Sequence, residues 1–468
     1  MKKKEDYRRL IVFGAGLCII GIEMALFALV WYNEIQFKIG EAFFRRGNWA
    51  LISFYGFLMF LLAKLFNGFK VGYRRMGDIL YSHIFAIILT NAMFYILIAL
   101  IGRWSWMSHM RYPLLLSLAD IAAAIAWVMA VHKIYVTVYP PRNLILVYGN
   151  ISPDRLLEKF ATRRDRYRIT ETMNTNQGLD KILRHIAKHE GVVIGDIPAE
   201  IRNPLLKFCF DESIRCYCIP KISDVIIRSS EDVHLFDTQV LLSRNQGLAI
   251  DQRIVKRLLD VVGSLVGLVL LSPIMLGSAA AIKLCDGGPV FYKQERLTRD
   301  GQPFMIYKFR SMRVDSEKNG ACLCKKDDSR ITPVGAVLRK LHFDEFPQFF
   351  NVLKGEMSLV GPRPERPEIS SQYAAELPQF NDRLKVKAGL TGYAQVYGKY
   401  NTTPYDKLKL DLTYIQQYSL TLDMRLLFGT FRILFARETS EGVDAAQVTA
   451  LVDTAVQHRE NNTNENVI

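Results

Sequence analysis

Two adjacent carboxylates, Asp344 and Glu345, stand in LRKLHFDEFPQFFNVLKGEMSLVGPRPERPE, just ahead of Pro347 and an apolar set of Phe349, Phe350, Val352 and Leu353. Proline is tolerated in the first helical turn, where its missing N–H would have had no partner. The pattern therefore predicts a helix with Asp344 as its N-cap. The free amides and dipole at such an end keep a carboxylate ionised and also favour phosphate. Two neighbouring carboxylates can then divide the work between one oxygen nucleophile and one ligand for a hard divalent ion such as Mg²⁺. Taken alone, Asp-Glu-x-Pro is also what a plain helix cap with an exposed acidic neighbour looks like.

The cations around the pair change that balance. Lys308 and Arg310 lie in YKFRSM, Arg339 stands five residues before Asp344, and Arg363 sits in GPRPE. Arginine grips phosphate with two parallel donors and lysine holds it as a point charge, so the set suits a diphosphate. The turn Gly361-Pro362-Arg363-Pro364 would carry its arginine on a rigid backbone. Any one of these charges could be ordinary solvated surface; as a group with the dyad they point to phosphate chemistry.

Apolar segments must position this charged region. Half of the 468 residues are hydrophobic although 23% are charged, a mixture that fits membrane segments joined to a soluble body. The formal charge of +14 favours an anionic partner, with nucleic acid, lipid surface and phosphorylated substrate all open on charge alone. The cysteines are scattered, and Cys216/Cys218 and Cys322/Cys324 are spaced more tightly than a CxxC knuckle, so they read as reduced cytosolic thiols. Four apolar spans are expected, at about 10–32, 49–69, 79–101 and 112–133. Lys2, Lys3, Lys4, Arg8 and Arg9 before the first span, and Lys70, Arg74 and Arg75 between the second and third, place those segments and everything after Lys133 in the cytoplasm; Arg45 and Arg46 argue mildly against this. Trp104 and Trp106 suit the outer interface. Glu23, inside the first span, is expected to pair with a neighbour or snorkel.

From Asn143 the pattern turns to α/β. Leu144–Gly149 reads as a buried strand, Asp154–Phe160 as an amphipathic helix, and 191–194 and 214–219 as further strands, giving a small domain to about 242. Gly149 stands alone where a dinucleotide turn would need three glycines, which favours a structural or regulatory role over cofactor binding. The segment Arg257–Leu284 is again long and apolar, but Ser272-Pro273 interrupts it. A full crossing would export a region rich in Lys and Arg. We therefore expect a re-entrant helix that bends at Pro273, where Ser272 helps to satisfy the carbonyl that proline leaves free.

From about Gln252 to Arg437 the chain resembles the bacterial sugar transferase domain of the monotopic polyprenyl-phosphate phosphoglycosyl transferases. The matching stretches are KRLLD, the proline-broken apolar helix, GGPVFYKQER, YKFRSM, LHFDEFPQFFNVLKGEMSLVGPRPE, AGLTGYAQV and LDLTYIQQYSLTLD. The four spans and Rossmann-like insert resemble the large members that initiate exopolysaccharide, capsule or O-antigen synthesis. One departure is Phe343, where many relatives carry leucine, a change that touches packing rather than chemistry.

The resemblance implies that Asp344 attacks the β-phosphate of a UDP-sugar, releases UMP and carries a sugar phosphate, which undecaprenyl phosphate then accepts. It implies Mg²⁺ on Glu345, and phosphate binding by Lys308, Arg310, Arg339 and Arg363, with Asp423 and less firmly Asp411 completing the polar site. Arg253, Lys256 and Arg257 would meet lipid phosphates at the interface. The expected fold is a four-helix transmembrane bundle (1–140), a Rossmann-like α/β insert (141–245), a mostly helical catalytic domain with the re-entrant helix (246–437) and a polar tail (438–468). The expected place is the bacterial inner membrane, with the catalytic domain on the cytoplasmic face. The implied partners are a UDP-sugar, undecaprenyl phosphate and membrane lipids, with a homodimer in view and no nucleic acid. The sugar is open, leaning to a hexose. The rival readings are a transporter, a non-catalytic membrane scaffold or regulator of polysaccharide synthesis, and a phosphatase or one-step transferase without a covalent intermediate.

Overall fold

The computed structural model describes residues 7–37, 39, 44–104, 111–243, 247–313, 330–398 and 402–434. Lys2–Lys4, Trp106, Cys322, Cys324 and the tail from Glu438 lie outside the described residues. The chain divides into two units, Met1–Ile219 and Pro220–Ile468.

The first unit opens with four helices, α1 (Arg8–Val30), α2 (Arg45–Leu65), α3 (Met76–Ile101) and α4 (Arg111–Val138), each long and apolar enough to cross a membrane. They correspond to the expected spans within a few residues, and a π-turn at Trp31–Ile35 extends the first. Their interior is more polar than expected. Glu23, His83 and Asp120 are all fully buried, and Asp120 accepts from Tyr55 Oη at 3.1 Å and Asn91 Nδ2 at 3.1 Å. Glu23 does not snorkel: its Oε1 lies 3.9 Å from His83 Nδ1.

The α/β insert follows as β1 (Arg142–Tyr148), α5 (Asp154–Ala161), β2 (Tyr167–Asn174), α6 (Leu179–Ile186), β3 (Gly191–Ile194), α7 (Ala199–Asp211) and β4 (Arg215–Cys218). The strands form one parallel sheet in the order β2-β1-β3-β4. The continuous apolar runs of its central strands β1 and β3 reflect burial on both faces. Ile145, Val147, Val192 and Ile194 pack with Ile182, Ile186 and Leu205 on one side, and Leu144, Leu146 and Val193 pack with Leu156, Leu157 and Phe160 on the other. Each fully buried aliphatic side chain contributes about 1.5–3 kcal/mol.

The insert ends earlier than expected. α8 (Ile222–Ile227) and the antiparallel hairpin of β5 (Glu231–Leu235) and β6 (Thr238–Leu242) belong to the second unit, where Val225 enters the core with Leu408 and Leu412. The hairpin pairs only with itself among the described strands, so alternation alone could not assign it to a domain.

The second unit is built on α9 (Ile250–Asp286), the fifth helix long and apolar enough to span. It is continuous in secondary structure through Pro273 rather than interrupted. Proline at 273 removes the donor for the Val269 carbonyl, and Ser272 Oγ supplies a replacement at 2.8 Å. Before the proline, Arg257 donates to the carbonyls of Val352 and Leu353, and Asp260 accepts from Ser358 Oγ and Leu359 N, each at 2.9 Å. After it, Met275 and Ile282 pack with Phe309 and Leu338. Both halves are thus anchored to the same unit, while Val262, Val269, Leu270 and Leu276 stay exposed.

The remaining elements are the hairpin β7 (Phe291–Leu297) and β8 (Pro303–Phe309), α10 (Pro333–Lys340), α11 (Gln348–Lys354), β9 (Ser358–Val360), α12 (Pro367–Glu376), β10 (Gly389–Thr391), α13 (Tyr393–Tyr397), α14 (Pro404–Gln416) and α15 (Leu420–Leu434). The parallel pair β9–β10 needs glycine. A Cβ on Gly389 would lie 2.1 Å from Gly361 N, and one on Gly361 would lie 2.4 Å from the Lys387 carbonyl. The motifs around GPRPE and AGLTG therefore form one backbone crossing.

Candidate active site

The acidic pair lies in a single 3₁₀ turn, Phe343–Glu345, wedged between α10 and α11. The helix after it starts at Gln348 with Pro347 as its cap residue, so Asp344 is not the N-cap expected from sequence. A tight turn takes up the residues that the pattern assigned to the helix start. His342 enters the turn with φ at 56°, a left-handed conformation that histidine adopts more readily than most residues. Phe343 and Phe346 anchor the turn, their rings 4.9 Å apart and packed against Leu338 and the far half of α9. α10 is capped by Thr332 Oγ1, which accepts from Gly335 N at 3.0 Å, with Pro333 in its first turn, and it brings Arg339 toward Asp344.

Two cations converge on one oxygen. Lys308 Nζ, from the end of β8, donates to Glu345 Oε1 at 2.7 Å, and Arg363 Nη2, from the turn after β9, donates to the same atom at 2.9 Å. Burial works against ionising Glu345, yet Arg363 and Lys308 outweigh it and hold its carboxyl well below the usual range. Asp344 is moved the other way: burial raises its pKa and Glu345 adds to the rise, while Lys308 and Arg339 pull it down.

Asn351 fixes this geometry from behind. It is fully buried, accepts from Tyr307 N at 3.0 Å and donates to the Met305 carbonyl at 2.8 Å, tying α11 to the strand that carries Lys308. The signal for it in sequence is a lone amide inside the apolar run QFFNVL, which the sequence reading passed over. Glu365 was missed as well. Lys407 and Arg383 both bind it and lower its pKa to about 2 against the cost of burial.

Three residues of the expected polar site have ionic partners outside the acidic pair. Asp411 Oδ2 receives Arg383 Nε at 2.9 Å and Nη2 at 2.7 Å, and the same Nη2 donates to the Arg363 carbonyl at 2.8 Å. Asp411 thus acts on the arginine loop through Arg383. Asp423 is fully buried, with Lys256 Nζ at 2.6 Å and Tyr414 Oη at 2.8 Å, and Tyr414 also donates to the Val360 carbonyl at 3.1 Å. Arg310 pairs with Asp286 at the end of α9 and fills the space beside Gly288. The Arg310 Nη1 atom is buried without a hydrogen-bond partner. Of the cations expected at the interface, Lys256 is buried against Asp423 and Arg257 is bound to the end of α11, whereas Arg253 is exposed, its Nε donating to the Leu248 carbonyl at 2.7 Å.

No group of three or more His, Cys, Asp or Glu side chains placed for a metal occurs among the described residues. The acidic pair nonetheless fits Mg²⁺. Both cations use Glu345 Oε1, so neither bond occupies Oε2, and the Asp344 carboxyl is near enough to Glu345 to interact with it electrostatically. Magnesium is commonly held by one or two carboxylates, waters and substrate phosphate oxygens.

Fold and site together define a membrane-associated protein whose carboxylate pair sits among cations suited to phosphate. The match to the bacterial sugar transferase family covers residues 251–437. The chain is 38% identical over 186 residues to the exopolysaccharide production protein PSS of Rhizobium leguminosarum bv. phaseoli, covering 38% of this chain and 93% of that protein. It is 39% identical over 232 residues to the UDP-N-acetylgalactosamine-undecaprenyl-phosphate N-acetylgalactosaminephosphotransferase of Aeromonas hydrophila, covering 48% of this chain and 53% of the relative. It is 42% identical over 180 residues to the UDP-glucose:undecaprenyl-phosphate glucose-1-phosphate transferase of Klebsiella pneumoniae, covering 37% of this chain and 39% of the relative. The chain belongs to the bacterial sugar transferase family. The matches span about half or less of the lengths of the last two relatives.

Proposed function

We propose that this protein transfers a sugar 1-phosphate from a UDP-sugar to undecaprenyl phosphate and so begins assembly of a cell-surface polysaccharide. The observation that carries this reading is the clamp of Lys308 and Arg363 on Glu345, with Arg339 beside Asp344. It pre-forms a cationic rim around a carboxylate that can act as nucleophile. An Asp344 oxygen attacks the β-phosphorus, the bond to the bridging oxygen breaks, and UMP departs. An oxygen of undecaprenyl phosphate then displaces Asp344 and leaves the sugar on a lipid diphosphate. Lys308, Arg339 and Arg363 hold phosphate oxygens through both displacements. Mg²⁺ bound at Glu345 and Asp344 would reduce the repulsion between an anionic nucleophile and an anionic diphosphate.

The anchoring of α9 supports a re-entrant helix on the cytoplasmic side of the inner membrane. A full crossing separates its ends by a hydrocarbon core of about 30 Å. Here Lys256 and Asp286, on either side of Pro273, bind Asp423 and Arg310 of one unit. The sugar is a hexose or an N-acetylhexosamine, since relatives carrying each are comparably similar.

Purified protein incubated with Mg²⁺ and a panel of UDP-sugars, without lipid, tests the mechanism. A stoichiometric burst of UMP and a mass increase of one sugar phosphate, both lost in Asp344→Asn, are expected. Turnover only when undecaprenyl phosphate is present, with no adduct, would replace the covalent route with direct transfer. No turnover under either condition would favour a scaffold.

A further inference from the structure

A second cationic site lies wholly in the first unit, where the start of α1, the α2–α3 loop, the end of α4 and the edge of the α/β sheet converge. The Arg8 guanidinium is covered on its faces by aromatic rings, with Tyr73 at 4.7 Å and Tyr135 at 5.5 Å from ring centroid to Cζ. The residue is only 7% exposed, and its Nε and Nη2 are buried without any hydrogen-bond partner. Those two atoms form one edge of the guanidinium fork, the edge that grips a phosphate with parallel hydrogen bonds. A buried charge with an empty donor edge is costly, and an anion there would relieve it.

The surroundings supply more positive charge and a fixed frame. Arg166 stacks on the same Tyr73 ring at 4.4 Å, and neither it nor Arg8 pairs with a carboxylate among the described residues. Arg142, joined to Arg166 by a backbone bond of 3.1 Å, is a further charged neighbour of Tyr135. The nearby acid Asp165 is taken by Arg163, which also donates to the Tyr73 carbonyl at 3.0 Å. Gly72 has φ at 73°, and a Cβ there would lie 2.0 Å from Tyr135 Cζ, so the loop is moulded against that ring. Nothing in the acidic pair's chemistry uses these residues.

We propose that Arg8 and Arg166, framed by Tyr73 and Tyr135, bind one phosphate group at the membrane–water boundary, carried either by an anionic phospholipid headgroup or by free phosphate. The inference does not depend on the proposed transfer reaction, and its test reads binding, not turnover. Native mass spectrometry of the full-length protein in detergent measures occupancy by phosphatidylglycerol, with phosphate-free diacylglycerol as control. Thermal unfolding with inorganic phosphate against chloride at equal ionic strength measures the free ion. For a lipid source, phosphatidylglycerol binding weakens roughly tenfold in Arg8→Gln and several-fold in Arg166→Gln, while diacylglycerol is unaffected. For free phosphate, the stabilisation of the unaltered protein disappears in the same variants. Arg166 lies at the rim, so Arg166→Gln keeps the test decisive if Arg8→Gln fails to fold. Equal behaviour of Arg166→Gln and the unaltered protein toward both probes overturns the site.

Discussion

Glu345 and Asp344 are neighbours with opposite electrostatics, and that contrast governs the residue-scale predictions. In the proposed transfer Asp344 must be ionised to attack, and burial raises its pKa while Lys308 lowers it. The rate of UMP release should therefore rise with pH through a value above the ordinary aspartate range. Lys308→Gln should move that limb to higher pH and lower the plateau about 100-fold, as seen in a pH–rate profile under single-turnover conditions. An unmoved limb would mean that Asp344 is not the titrating group. Arg383→Gln should lose activity without touching substrate, because its Nη2 holds the Arg363 carbonyl; a normal KM and kcat in that variant would disprove the positioning role. At this scale the long motifs of the sequence mark the residues that the fold brings together around the dyad: Lys308 and Arg363 on Glu345, and Arg339 near Asp344. The partner of Asp423, Lys256, is 167 positions away, and a charge gives no sign in sequence of what neutralises it.

Among the elements, α9 and the β9–β10 crossing carry the testable consequences. If α9 enters and leaves one leaflet, the exposed Cys285 near its end is cytoplasmic. A variant retaining only Cys285 should react with a membrane-impermeant maleimide in inside-out vesicles and resist it in intact spheroplasts; the reverse pattern would establish a complete crossing. Gly389→Ala places a methyl 2.1 Å from Gly361 N, and the backbone must open to admit it. It should cost about 2–4 kcal/mol, read as lowered resistance to denaturant, and displace Arg363. Periodicity and length anticipated four long apolar helices and three of the four parallel strands, and Pro273 marked the carbonyl that Ser272 binds. The sequence pattern carries the α/β domain to about 242, whereas 220–242 falls in the second unit, because local pattern does not show which core a segment joins.

For the molecule as a whole, stability in acid should depend on buried carboxylates. Glu365 has its pKa lowered to about 2 from an ordinary 4.5, so its contribution is complete above about pH 4.5 and is lost as pH falls toward 2. The melting temperature of Glu365→Gln should lie below that of the unaltered protein at pH 7, with the gap narrowing below about pH 4.5 and closing as pH falls toward 2. A gap independent of pH would assign the effect to packing instead. Lys256→Met should be more severe, about 3–5 kcal/mol, since it leaves Asp423 buried and unpaired. The sequence by itself determined the long apolar helices, the family and the acidic pair with its neighbouring cations, because these are written in local composition, periodicity and contiguous motif. Only the tertiary structure decided which charges neutralise each other. Ion pairs such as Lys256–Asp423 and Arg383–Asp411, and the empty donor edge of Arg8, arise when distant segments of chain are brought into one low-dielectric interior.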